Sequence, residues 1–117
     1  MTWEIVYVTD EETSSSVEKW LNNLSKEMFK SITKELMLLS LAGNQLRLPH
    51  SKSLGNGLFE LRERNYGLRI YYTFRPGKII FLLLAGNKET QEMDIRIARK
   101  KLAQLQKWGV NNEIKTL

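Results

Sequence analysis

The chain has 117 residues, 42% hydrophobic and 26% charged, the length and ordinary composition of one globular domain spanning residues 1–117. With no cysteine and a single histidine, disulfides, thiolate catalysis and a Cys/His zinc site are excluded, and neither a metal nor a cofactor is expected. The net charge of +5 is unevenly spread: residues 1–44 hold four lysines against seven acids, residues 45–117 fourteen Lys/Arg against six acids. A polyanion-facing surface is therefore expected in the second part.

The first residues, Met-Thr-Trp-Glu-Ile-Val-Tyr-Val, have no basic start and no long apolar run, so a signal peptide is not expected. The longest apolar stretch, Ile79–Ala85, is too short for a membrane span. A cytoplasmic protein without a membrane partner is the expectation.

Trp3–Val8, rich in β-branched and aromatic residues, predicts a first strand. Thr13 to Ser16 offer helix caps, and Ser15 with Glu18 matches a capping box. Val17, Trp20, Leu21 and Leu24 then recur at the spacing of one helix face. Ser25 is placed to cap a second helix with the stripe Met28, Phe29, Ile32, Leu36 and Leu39, and Gly43 to end it. Residues 45–56, punctuated by Pro49, Gly55 and an Asn-Gly pair, read as a loop. Three strands follow, Leu58–Arg64, Leu68–Phe74 and Lys78–Ala85, separated by the turns Tyr66-Gly67 and Arg75-Pro76-Gly77. The last of them lacks alternation and is expected at the centre of the sheet. A helix from about Thr90 to Trp108 closes the pattern, with Ile95, Ala98, Leu102 and Leu105 inside and Arg96, Arg99 and Lys100 on a basic outer side. Disorder is expected only in the tail, residues 111–117.

Alternation in the strands is the first functional clue. Leu58, Glu60, Arg62 and Arg64 share one face of theirs, and Arg69 and Tyr71 one face of the next. Arg62, Arg64, Arg69 and Tyr71 are thus expected on one open sheet face, with the helices on the other. No Walker loop, dinucleotide fingerprint or serine-elbow motif is present.

Three segments together resemble a known family. Lys52-Ser53-Leu54-Gly55-Asn56-Gly57-Leu58-Phe59-Glu60-Leu61-Arg62, Leu68-Arg69-Ile70-Tyr71-Tyr72, and Leu84-Ala85-Gly86-Asn87-Lys88-Glu89-Thr90-Gln91 with Asp94, Ile95 and Ala98 are similar, in order and spacing, to HigB-like addiction-module killer proteins of the RelE/ParE toxin superfamily. The resemblance implies an α+β fold: an antiparallel sheet of about four strands, two N-terminal helices on one face and a C-terminal helix. It implies a toxin neutralised by a helix-turn-helix antitoxin, acting on mRNA in the ribosome as an endoribonuclease. The alternatives are a gyrase-inhibiting toxin of the same fold and a non-toxic binding module.

RNA scission needs a 2′-OH deprotonated, a phosphorane stabilised and a 5′-oxygen protonated. Arg69, where the family carries an arginine, is expected to bind the phosphate. Arg62 is the second candidate, its rival role being an ion pair with Glu60 or Glu63. Lys52 is a candidate for phosphate contact or proton transfer, Lys88 for phosphate binding with helix-start positioning as its rival role, and His50, the one residue type here that titrates near neutrality, for a general acid or base. Arg64, Tyr71, Arg96, Arg99 and Lys100 are expected to contact RNA. The resemblance implies a tyrosine or histidine near the C-terminal end as general acid; the tail supplies neither, and Tyr71, Tyr72 and Tyr66 are the candidates to substitute. Gln91 and Asp94 are expected to cap and orient the last helix.

Overall fold

A computed structural model describes residues 2–9, 16–107 and 113–116. Strand β1 (Glu4–Thr9) is followed by helices α1 (Ser16–Asn22) and α2 (Lys26–Ala42), then β2 (Ser51–Gly55), β3 (Leu58–Glu63), β4 (Leu68–Arg75) and β5 (Ile79–Asn87), helix α3 (Gln91–Lys107) and β6 (Glu113–Thr116). The strands form one sheet in the order β2-β3-β4-β5-β1-β6. Strands β2 to β5 are an antiparallel meander, while β1 joins β5 in parallel and β6 returns antiparallel to β1.

The local signals explain most of these elements. The Ser25 hydroxyl accepts from the Met28 amide and starts α2. Gly43 stops it at φ 55°, a conformation that favours glycine. A side chain there would also meet Trp3, because a Cβ would lie 2.0 Å from the indole Nε1. Trp3 is fastened over the helix end by its amide to Ser40 O and by the Ser40 hydroxyl to its own carbonyl.

The sheet is covered on both faces. On one, Ile5, Tyr7, Leu61, Ile70 and Tyr72 pack with Leu21, Ile32 and Leu39 of α1 and α2. On the other, Leu58, Tyr71, Phe81 and Leu83 pack with Ala98, Leu102 and Leu105 of α3. Burial on both faces accounts for the unbroken apolar run of β5.

Four expectations are corrected. Among the described residues the sheet has six strands and is mixed, not four and antiparallel. Residues 51–55 are an edge strand rather than loop; Asn56 and Gly57, both at positive φ, make the tight hairpin turn that an Asn-Gly pair favours. Residues 113–116 of the tail pair with β1. The face carrying Arg62, Arg69 and Tyr71 is not open, because α3 lies across it. The capping box at Ser15 lies outside the described residues.

Candidate functional site

Strand register places the two best sequence candidates side by side. Arg62 of β3 pairs with Arg69 of β4, and Arg69 in turn with Gly86 of β5. One row away, Lys52, Glu60, Tyr71 and Leu84 align across β2 to β5. Like charges directly opposite each other repel, so the Arg62–Arg69 pair needs a counter-charge. Glu60, 0% exposed, supplies it. Its Oε1 accepts from Arg62 Nε at 2.8 Å and lies 3.7 Å from Arg69 Nη1. Its Oε2 accepts from Gln91 Nε2 at 2.8 Å, which ties the start of α3 to the sheet.

Burial alone would raise the Glu60 carboxyl. Hydrogen bonds from Arg62 and Gln91, with the charges of Arg69 and Arg62, outweigh it and hold the pKa below the usual value. Burial, followed by the nearby Glu60 and Asp94 carboxylates, pushes the Tyr71 hydroxyl well above the ordinary tyrosine value, with Arg69 opposing. Tyr71 is therefore a neutral phenol at physiological pH. Its hydroxyl and Arg69 Nε are buried polar groups that make no hydrogen bond of normal geometry. The Tyr71 hydroxyl lies near Glu60, Asp94 and Arg69.

Asp94 approaches the sheet through the absence of a side chain at Gly86. A Cβ at Gly86 would lie 2.0 Å from Asp94 Oδ2 and 2.9 Å from Thr90 Oγ1. Thr90 donates to Asp94 Oδ2 at 2.5 Å, and Asn87 caps the turn by accepting from the Glu89 and Thr90 amides at 3.0 and 3.2 Å. Asp94 thus anchors the helix start, as expected, while Gln91 reaches across to Glu60.

The other candidates disperse. Lys52 is exposed on the same face as Glu60, and Arg64 and Lys88 are exposed beyond the arginines, near the β3–β4 turn and at the end of β5. The Lys88 amide donates to Gly67 O at 2.8 Å, so Lys88 sits beside that turn. Arg96 and Lys100 are exposed on α3.

Three further candidates have partners within the fold. Tyr71 is 0% exposed and packs beneath α3, so it is not a surface contact. Arg99 donates to Leu54 O at 2.6 Å and Gly55 O at 3.3 Å, clamping α3 to the β2–β3 hairpin. His50 Nδ1 lies 2.9 Å from Glu35 Oε2 of α2.

Of the other tyrosines, Tyr72 is buried on the α2 side against Ser51. Tyr66, in the β3–β4 turn, is 44% exposed. That turn is held by Glu63, whose carboxylate accepts from the Asn65 and Tyr66 amides.

Sequence reasoning missed Glu60 as the organiser of the pair. The period-two pattern does carry the signal, since Glu60 falls between Leu58 and Arg62 on the arginine face. Among the described residues no group of three or more His, Asp or Glu is placed to hold a metal, and no helix is long and apolar enough to cross a membrane.

Chemically, two guanidiniums beside a buried carboxylate are charge-assisted donors of the kind that can pair with an anion. Glu60 offsets part of the charge of Arg62 and Arg69, and Lys52, Arg64 and Lys88 add exposed positive charge. The arrangement suits stabilisation of phosphoryl charge better than proton transfer.

Residues 19–104 match the family model described as phage derived protein Gp49-like (DUF891). A Haemophilus influenzae protein described as uncharacterized is 33% identical over 89 residues, 75% of this chain and 87% of that protein. A Mycobacterium tuberculosis protein named "Putative toxin HigB3" is 32% identical over 76 residues, 62% of this chain and 67% of that protein. Among solved structures, a free-state Escherichia coli RelE toxin bearing two arginine-to-alanine substitutions superposes with a TM-score of 0.63 at 18% identity, covering 87% of this chain and 99% of the other. The isolated RelE toxin in another crystal gives a TM-score of 0.53 at 19% identity, over 81% and 98%.

Proposed function

Since the chain belongs to the Gp49-like family, within the RelE/HigB toxin superfamily, we propose that it is the toxin of a toxin–antitoxin pair and that it arrests translation by cutting ribosome-bound mRNA. The observation that carries the reading is the Arg62–Arg69 pair on adjacent strands, both gripped by the buried Glu60 carboxylate. Guanidinium groups fixed before substrate arrives stabilise the extra charge of a phosphorane without reorganising. The exposed cations Lys52, Arg64 and Lys88 attract the backbone, and the start of α3 closes the site behind the arginines.

The same geometry favours a substrate positioned by something else. Tyr71 is held as a neutral phenol, and His50 is engaged by Glu35. A site that grips phosphate strongly and moves protons weakly gains most when the scissile nucleotides are already in line. A ribosome decoding mRNA supplies that alignment, and the partners of the reading are the ribosome, its mRNA and an antitoxin. The cytoplasm is the compartment where they meet.

Induced expression tests the toxin reading directly. Wild-type chain is expected to stop growth, and Arg69→Ala to permit it at equal protein level with a cooperative melt. Arrest by a folded Arg69→Ala chain, or growth unaffected by wild type, would remove the assignment.

A further inference from the structure

The turn between β3 and β4, residues 64–67, is anchored from two directions. Glu63, the last residue of β3, is 2% exposed, and its carboxylate accepts from the Asn65 amide and, at 3.1 Å, from the Tyr66 amide. Burying a carboxylate is costly unless donors meet it, and neighbouring main-chain N–H groups of a turn are suited to do so. From the other direction, the Lys88 amide donates to Gly67 O at 2.8 Å. Gly67 passes through φ 71°, and a Cβ there would lie 3.5 Å from Lys88 Cβ. The turn is thus fastened both to β3 and to the end of β5. What it carries into solvent is Tyr66, 44% exposed. Exposed Arg64 stands two residues before it, and exposed Lys88 lies against the residue after it.

Strand register brings this turn next to the arginines. Arg62 pairs with Arg69, and Glu63 with Leu68, so one row separates the pair from the turn. At a rise of about 3.4 Å per residue, the turn begins within about 7 Å of Arg62. We propose that Tyr66 is the stacking platform for one base of a single-stranded RNA, beside the phosphate that Arg62 and Arg69 take; the ligand class rests on the RNA-cutting reading. Cations along the backbone with an aromatic face for the bases hold single strands with little regard to sequence. Here Arg64 and Lys88 attract the backbone and Tyr66 offers the face. Because the main chain under the ring is already fixed, little freedom remains to be lost when a base arrives. Stacking makes no use of the phenol hydroxyl, which sets it apart from a proton-donor role for Tyr66.

A dye-labelled RNA of about six nucleotides, titrated with the full chain at low salt and read by fluorescence anisotropy, probes the platform without requiring cleavage. Cleavage on mRNA-programmed ribosomes is measured alongside. Tyr66→Phe is expected to bind like wild type, and Tyr66→Ala at least about fivefold more weakly. Tyr66→Leu, which keeps an apolar side chain but no ring, is expected to bind as weakly as Tyr66→Ala. RNAs with an abasic site at each position in turn locate the stacked base. At one position, wild type is expected to bind the abasic RNA as weakly as Tyr66→Ala binds the intact one, and Tyr66→Ala to lose nothing further.

An equal loss in Tyr66→Phe would give the effect to the hydroxyl and overturn the proposal. So would wild-type affinity in Tyr66→Ala or Tyr66→Leu, losses that add at every abasic position, or no RNA binding by the wild-type chain. Tyr66-dependent binding by a chain that leaves mRNA on ribosomes intact would retire the nuclease reading and keep the stacking site. Arg69-dependent cleavage by a chain whose RNA binding ignores Tyr66 would do the reverse.

Discussion

Glu60 and Arg62, two residues apart on β3, are joined by a 2.8 Å hydrogen bond from Arg62 Nε to a carboxylate that is 0% exposed. A buried carboxylate costs desolvation, and here that cost is offset by two arginines and the Gln91 amide. Removing it leaves Arg62 and Arg69 facing each other without a counter-charge. Glu60→Ala is expected to destabilise the chain by about 3 kcal/mol, read from urea midpoints. Glu60→Gln, which keeps the shape, is expected to cost less.

The depressed pKa of Glu60 has a direction in pH. A carboxyl lowered in the folded chain contributes stability that is fully present above its unfolded value, and that contribution is lost as pH falls through the folded value. Wild-type stability is expected to drop below about pH 4, and Glu60→Gln to show a shallower acid limb. Urea titrations of the two chains from about pH 7 to about pH 3 compare the slopes; identical slopes would deny the ionised, hydrogen-bonded Glu60.

Gly86 is required by space. Its missing Cβ would sit 2.0 Å from Asp94 Oδ2, so Gly86→Ala is expected to cost about 2 kcal/mol through overpacking. Combining it with Asp94→Ala is expected to cost less than the sum of the two single changes, because the second opens the room the first needs. Additive melting shifts would count against this contact.

Arg99 tests the reassignment of a basic helix face. With its guanidinium on the Leu54 and Gly55 carbonyls, Arg99→Ala is expected to cost about 1 kcal/mol and to speed amide exchange in the β2–β3 hairpin. Arg96→Ala and Lys100→Ala, both exposed, are expected to leave stability within about 0.5 kcal/mol of wild type. Unchanged hairpin exchange in Arg99→Ala would restore this residue to the candidate RNA contacts.

Much of the scaffold was legible because its signals are local. The Ser25 cap, the Gly43 stop and the alternation that puts Arg62 and Arg69 on one face all follow from neighbouring residues. The edges were hidden. Strand β2, Ser-Lys-Ser-Leu-Gly, buries only Ser51 and has too little apolar alternation to read as a strand. Strand β6 depends on pairing with β1 across most of the chain, which composition does not encode. The site failed to declare itself for the same reason. Glu60 reads as one more charge until Gln91 arrives from 31 residues away, and Tyr71 reads as a surface aromatic until α3 is placed over it.

The most direct measurement incubates the purified chain with mRNA-programmed ribosomes and maps the mRNA ends, with ribosome-free RNA and Arg69→Ala alongside. The account predicts cuts in the A-site codon that require both the ribosome and Arg69. Intact mRNA on ribosomes, from a chain that arrests growth, would contradict it and move the target away from translation.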